Sequence, residues 1–384
     1  MNRRIIAGSM VMATLIFSGC SAVPDGTISW EKQSADGVVI ENNHVKGTLV
    51  EDTVYVDAYI SGTNNNTEWK EYTATLKNID DDEADRLGHV LLDDSAYLDS
   101  KRESAGDKQK SMYYTYKSDN TDAVVYCHNG SIVYDTAKRK QIQYTSFLTG
   151  KKGALDSKEL HSIYPLDSIE GIDKEEAVAY FKKLCDETGV DASDNIDVYA
   201  FDKDSANAYI ADGNEYLLMD KYENMKPLLT DDDEAYIIIA PLKINGVELP
   251  AYNTSSGTGD SVESKITAVI GRNGLYYFGV SGLYDISDEE PAEGIHSIND
   301  LMDYLKTNYQ YSSGVTRGIK ISDISLQYIA RYYITQDEFK IVPTYVCKKE
   351  TTTVSEKEGV NSEMVTIERL YVCNVSTPIA ILYS

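Results

Sequence analysis

The chain has 384 residues, with 36 Lys+Arg against 62 Asp+Glu, a formal net charge of −26 at pH 7. That balance repels phosphate backbones and sets nucleic-acid binding aside, while a hydrophobic fraction of 42% excludes wholesale disorder. Thirty Tyr against six Phe favour β structure with half-buried aromatics.

The N-terminus reads as an address. Arg3 and Arg4 precede an apolar run over 5–17, and the small residues Ser18 and Gly19 lead to Cys20. This pattern predicts a secretory leader over 1–19, too short for a mature membrane span. Phe17-Ser18-Gly19-Cys20 resembles the bacterial lipobox, which implies a lipid-modified Cys20 as the new N-terminus; an ordinary leader with a chance cysteine is the alternative. Two acyl chains suffice for stable attachment. The expectation is a protein anchored to the cell membrane at its extracytoplasmic face, with residues 20–36 as a tether.

From Val38 the pattern turns to strands. Residues 48–60 alternate, with Val54, Val56, Ala58 and Ile60 against Tyr55, Asp57 and Tyr59. A turn cluster over 62–66 leads to a second strand over 69–79. Asp80–Asp82 offers N-caps to a helix over 83–92, with Ala84, Leu87, Val90 and Leu91 on one side. Strands follow at 111–116, 123–128 and 132–134, the last two joined by Asn129-Gly130, a type I′ hairpin signal. Pro165 and Gly171 bracket a boundary near 162–171. Asp173 then caps a helix with Ala177, Tyr180, Phe181 and Leu184 on its apolar face, and Gly189 stops it. A strand over 196–201 precedes a stretch, 202–230, to which the pattern assigns nothing. Residues 236–242 and 247–252 are strands about Asn245-Gly246, and 253–260 is a Ser/Thr/Gly loop. Strands 266–270 and 275–280 flank Arg272-Asn273-Gly274. A helix starts at Ser297, and strands over 319–333, 339–347 and 366–375 close the chain as an antiparallel meander. The class is α+β, antiparallel sheets with a few packing helices. Two domains are expected: a mostly-β unit over 37–165 and a helix-sheet-helix-sheet unit over 166–384.

Outside the cytoplasm, cysteine pairing is permitted. If the last two strands form a hairpin, Cys347 and Cys373 could face each other and bridge; two separate buried thiols are the alternative. No CxxC and no His at finger spacing from a Cys occurs, so no metal ligand set is assigned. The five histidines form no HExxH, and neither GxSxG nor GxxxxGK[ST] is present. Ser29-Trp30-Glu31-Lys32 fits SxxK but lies in the tether. His128 reads as a solvated turn histidine. Asp80–Glu83, Asp231–Glu234 and Asp202-Lys203-Asp204 read as caps and solvated faces, with calcium the lesser alternative. No catalytic residue and no cofactor is assigned, and exposed Tyr and Trp could stack on sugars.

The lipobox, Tyr55-Val56-Asp57-Ala58-Tyr59-Ile60, and the acidic helix with Leu87 together resemble the opening of uncharacterised lipoproteins from Gram-positive gut bacteria. Ile321-Ser322-Asp323-Ile324-Ser325-Leu326-Gln327-Tyr328, followed by Ile341-Val342-Pro343-Thr344-Tyr345, is similar to their ending, with Tyr345 where a Trp is usual. The same ending resembles, in pattern only, the membrane-anchored YycH/YycI regulators, which act through extracytoplasmic α+β domains. The resemblance implies no catalytic residue. It implies a non-enzymatic binding or regulatory module for a protein or cell-envelope partner, with a solute- or glycan-binding lipoprotein as the alternative.

Overall fold

The computed structural model describes residues 33–35, 37–51, 53–62, 69–103, 111–150, 153–154, 157–214, 229–251, 264–292, 297–309, 316–333, 338–357, 360–373 and 381–383. In chain order the first strands are β1 (Gln33–Ala35), β2 (Val38–Glu41), β3 (His44–Val50), β4 (Val54–Ser61) and β5 (Lys70–Leu76). Helix α1 (Asp81–Leu92) leads to β6 (Ala96–Glu103), β7 (Met112–Ser118), β8 (Val124–His128) and β9 (Ser131–Asp135). Next come α2 (Ala137–Ile142), the short pair β10 (Thr149–Gly150) and β11 (Gly153–Ala154), α3 (Ser157–Ile163) and α4 (Lys174–Thr188). Strand β12 (Asp197–Phe201), α5 (Lys203–Tyr209), β13 (Ala235–Ile244), β14 (Val247–Leu249), β15 (Lys265–Gly271), β16 (Gly274–Ser281) and β17 (Tyr284–Pro291) follow. The chain then forms α6 (Ile298–Tyr309), β18 (Thr316–Tyr333), β19 (Glu338–Lys357), β20 (Val360–Cys373) and β21 (Ile381–Tyr383).

Local chemistry explains the helices. Asp80 and Asp173 accept the Glu83 and Glu176 amides at 2.9 Å each and so start α1 and α4. Gly189, at φ 74°, ends α4 in the left-handed region. Ser297 and Asp300 cap α6 reciprocally: Asp300 Oδ2 accepts the Ser297 amide at 2.7 Å, and Ser297 Oγ accepts the Asp300 amide at 3.2 Å. None of the helices among the described residues is long and apolar enough to cross a membrane.

The strands assemble into two large sheets, antiparallel apart from one parallel pair. The first has ten strands, with the path β1-β2-β3-β4-β18-β19-β20-β21 and β5 and β17 branching from β19. The parallel pair is β4 with β18, Tyr55 lying opposite Lys320. The second has nine strands, β12-β13-β15-β16-β9-β8-β7-β6, with β14 added to β13. Each sheet takes strands from both halves of the chain. The expected division at residue 165 is therefore wrong: β4 completes its pairing only with β18, and β9 only with β16.

Alternation fixes which face of each strand is buried. In β4, Val54, Val56, Ala58 and Ile60 are buried, and Tyr55 and Tyr59 are exposed. That face packs on Ile298, Leu301, Met302 and Leu305 of α6. Residues 48–60, expected as one strand, are a hairpin, because residues 51 and 53 turn. In the nine-stranded sheet, α1 and α4 cover one face through Leu87, Leu91, Phe181 and Leu184. On the other face, α2, α3, α5 and the 3-10 turn Tyr144–Leu148 cover β12, β13, β15 and β16. Strand β13 is thus buried on both sides, which its continuous run Tyr236–Ala240 reflects. The sheets meet where Leu249 packs with Tyr72, Tyr284, Tyr328 and Phe339.

Candidate functional site

The acidic clusters are caps and ion-pair partners. Asp81, at the start of α1, accepts from Lys101 Nζ and from the Tyr114 hydroxyl, both at 2.6 Å, and Lys101 holds its carboxyl below the usual range. Asp202 caps α5, accepting the amides of Asp204 and Ser205 at 3.1 and 2.8 Å. Asp231 binds Lys203, Asp233 binds Lys138 at 2.5 Å, and Glu234 binds Arg272 at 2.8 Å. Tyr144 donates to the Asp233 carbonyl at 2.7 Å, fixing this network to the core. Cations thus hold Asp81, Asp231, Asp233 and Glu234. Among the described residues no group of three or more His, Cys, Asp or Glu is placed to hold a metal ion.

The thiols are placed apart. Cys127, Cys185 and Cys347 are buried and free, and burial pushes the Cys127 and Cys185 thiols up to about 12. The Cys347–Cys373 bridge is corrected by the register. Cys347 lies opposite Leu370, whereas Cys373 lies opposite Thr344. Three residues of strand separate the two positions by about 10 Å, beyond the Cα separation of roughly 7 Å that a disulfide spans. Cys20 and the SxxK tetrad lie outside the described residues, as does the loop 253–260.

Two histidines, His44 and His128, lie on strands, whereas His89 and His161 lie on α1 and α3. His44 bonds Asp57 at 2.7 Å and stacks on Tyr59 at 4.5 Å. His128, placed by the Asn129-Gly130 turn, stacks on Tyr113 at 4.8 Å, and the Arg102 guanidinium lies 5.3 Å from that ring on its other neighbour strand.

Tyr113, His128 and Arg102 lie on the face of β6–β8 opposite α1. No described helix packs over β6–β8 on the side opposite α1. There Tyr97 is 43% and Tyr126 36% exposed. Tyr97 lies opposite Lys117, and Thr115 opposite Tyr126, so the four share this face with Arg102, Tyr113 and His128. Lys117 is held by Asp99 at 2.9 Å. Strand β6 is terminal in the sheet, and seven of its eight residues are exposed. It was unrecognised in the sequence because its charged residues show no run of apolar alternation. The Tyr, Thr, Arg and His on this face can bury aromatic surface and donate hydrogen bonds to a partner.

A second concavity lies on the ten-stranded sheet. Thr48, Tyr55, Lys320 and Glu350 form one cross-strand row. With Gly318 and Thr352 they line an open cleft of about 400 Å³.

Three comparisons place the chain. No family model matches it, and no curated protein matches its sequence. An uncharacterised protein from Eubacterium rectale has a similar solved structure at 15% identity and a TM-score of 0.55, covering 88% of this chain and 93% of that one. The C-terminal domain of Bacillus megaterium YpeB aligns over 80% of this chain and 100% of its own at 9% identity and a TM-score of 0.27. The fold is thus shared with an uncharacterised bacterial protein.

Proposed function

We propose that this protein is a lipid-anchored, extracytoplasmic binding or regulatory module, without enzymatic activity, for a protein or cell-envelope partner. The observation that carries the reading is the open face over β6–β8. Two tyrosines over one-third exposed share it with Tyr113, His128 and Arg102 beside β6, the terminal strand of the sheet among the described residues. Aromatic side chains with a polar end, together with Arg, are the types that dominate binding energy at protein interfaces. The anchor is supported by the charge, apolar run and small residues ahead of Cys20.

The test is made on intact cells. A photo-crosslinking residue at position 126 of the full chain should give one discrete adduct. That adduct should vanish with Tyr97→Ser and with Cys20→Ser, which should also lose label from a palmitate analogue. The same adducts from position 180, an exposed tyrosine of α4 away from this face, would count against the docking face. Equal lipid labelling of Cys20→Ser and the parent would remove the anchor.

A further inference from the structure

The cleft on the ten-stranded sheet lies on a different sheet from the face just described. Its walls combine three chemistries. The Tyr55 ring is 37% exposed and offers a flat apolar surface. Thr48 and Thr352 supply hydroxyls that both donate and accept. Lys320 and Glu350, adjacent in the register, add one ammonium and one carboxylate. No ion pair among the described residues joins either of them to another residue. Gly318 leaves the cleft open: a Cβ built on it meets nothing within 4 Å.

Charge selects among ligands. The cleft balances one positive against one negative group, and the neighbouring Lys46–Asp57 pair at 3.5 Å does the same. An anion would face Glu350 and Asp57 within a chain of net charge −26. A neutral polyol loses nothing to that field. Each of its hydroxyls can donate to Glu350 and accept from Lys320 at once, and its C–H face can lie on Tyr55. Farther along the same face of β4, Tyr59 is 68% exposed and steadied by its stack on His44. Four residues of strand place it about 13 Å from Tyr55, so the strip is longer than a single sugar ring.

The geometry points to this cleft as a binding site for a short neutral oligosaccharide, with one sugar ring against Tyr55 and its hydroxyls between Lys320 and Glu350. This goes beyond the partner-docking reading and stands whether or not that reading holds.

The test titrates the purified protein with cello-, manno-, malto- and chito-oligosaccharides, and with oligogalacturonides as the anionic arm. Gly318→Val fills the cleft without demanding an unusual backbone angle, and Tyr55→Ala removes the stacking surface. At least one neutral series should bind the parent, and each variant should weaken it about tenfold or more, a change of about 1.4 kcal/mol. Tyr180→Ala, at an exposed position of α4 on the other sheet, should leave binding unchanged. Binding by no neutral series overturns the assignment. So does a preference for the oligogalacturonides, or full affinity in both cleft variants at unchanged melting temperature. Loss of the adduct from position 126 with sugar binding intact would fail the docking reading alone.

Discussion

Asp135 and Asp233 show how one residue type is driven in opposite directions. Asp135 is 5% exposed, with Arg139 at 3.6 Å and its Oδ1 without a hydrogen bond; burial raises its pKa, against the pull of Arg139. Burial also pushes Asp233 up, but the bonds from Lys138 and Thr230 outweigh it and leave it below the usual carboxylate range. A carboxylate lowered by folding contributes stability above its unfolded pKa and loses it as pH falls through the folded value; a raised one does the reverse. Asp233→Asn should therefore cost about 1–3 kcal/mol at neutral pH, and the loss should shrink as the parent is acidified. Asp135→Asn should be neutral or stabilising at pH 7, and its advantage should fade in acid. Thermal melts across pH 3–7 measure both, and matching pH profiles for the two variants would contradict the assignment. Neither residue stood out as buried in the sequence, because burial here comes from strands and helices distant along the chain.

At the scale of elements, α1 provides the sharpest test. Gly88 lies in its interior, where Gly→Ala ordinarily stabilises a helix by up to about 1 kcal/mol. Here a Cβ would meet the Tyr116 ring at 2.7 Å. Gly88→Ala should instead destabilise the protein by about 1–3 kcal/mol, and a denaturant midpoint that rises would show that β7 and α1 are not in this contact. The capped helices α1, α4 and α6 and the turns Asn129-Gly130 and Asn245-Gly246 were legible because the residues that fix them lie within one turn of each other. Strands β6 and β17 were not. Both are rich in charged residues and largely exposed, and only their partners, β7 and β5, make them strands. Residues 202–214 gave no periodic signal, yet Asp202 caps α5 there.

For the whole molecule, the interleaving of the sheets has a direct consequence. A fragment spanning 37–165 holds β2–β11 but lacks β18, α6 and β16. It leaves β4 without its neighbour and the face of Val54, Val56 and Ala58 without α6. Such a fragment expressed alone should lack a cooperative melt and expose apolar surface to a dye, whereas the chain from 37 onward should melt cooperatively. A sharp transition for the short fragment would restore the two-domain division. Long sequence separation also explains the cleft: Tyr55 and Lys320 become neighbours only through the parallel pair.

The sequence by itself determined the α+β class, the acidic character and which face of most strands and helices is buried. Periodicity, caps and turn residues act over a few neighbours, and those forces are written locally. Tertiary structure alone decided that two sheets are each woven from both halves of the chain, that Cys347 and Cys373 stand three positions out of register, and that Tyr55, Lys320 and Glu350 line one cleft. Those outcomes depend on which strand pairs with which. That choice rests on burying apolar faces across hundreds of residues, a sum that no short segment carries.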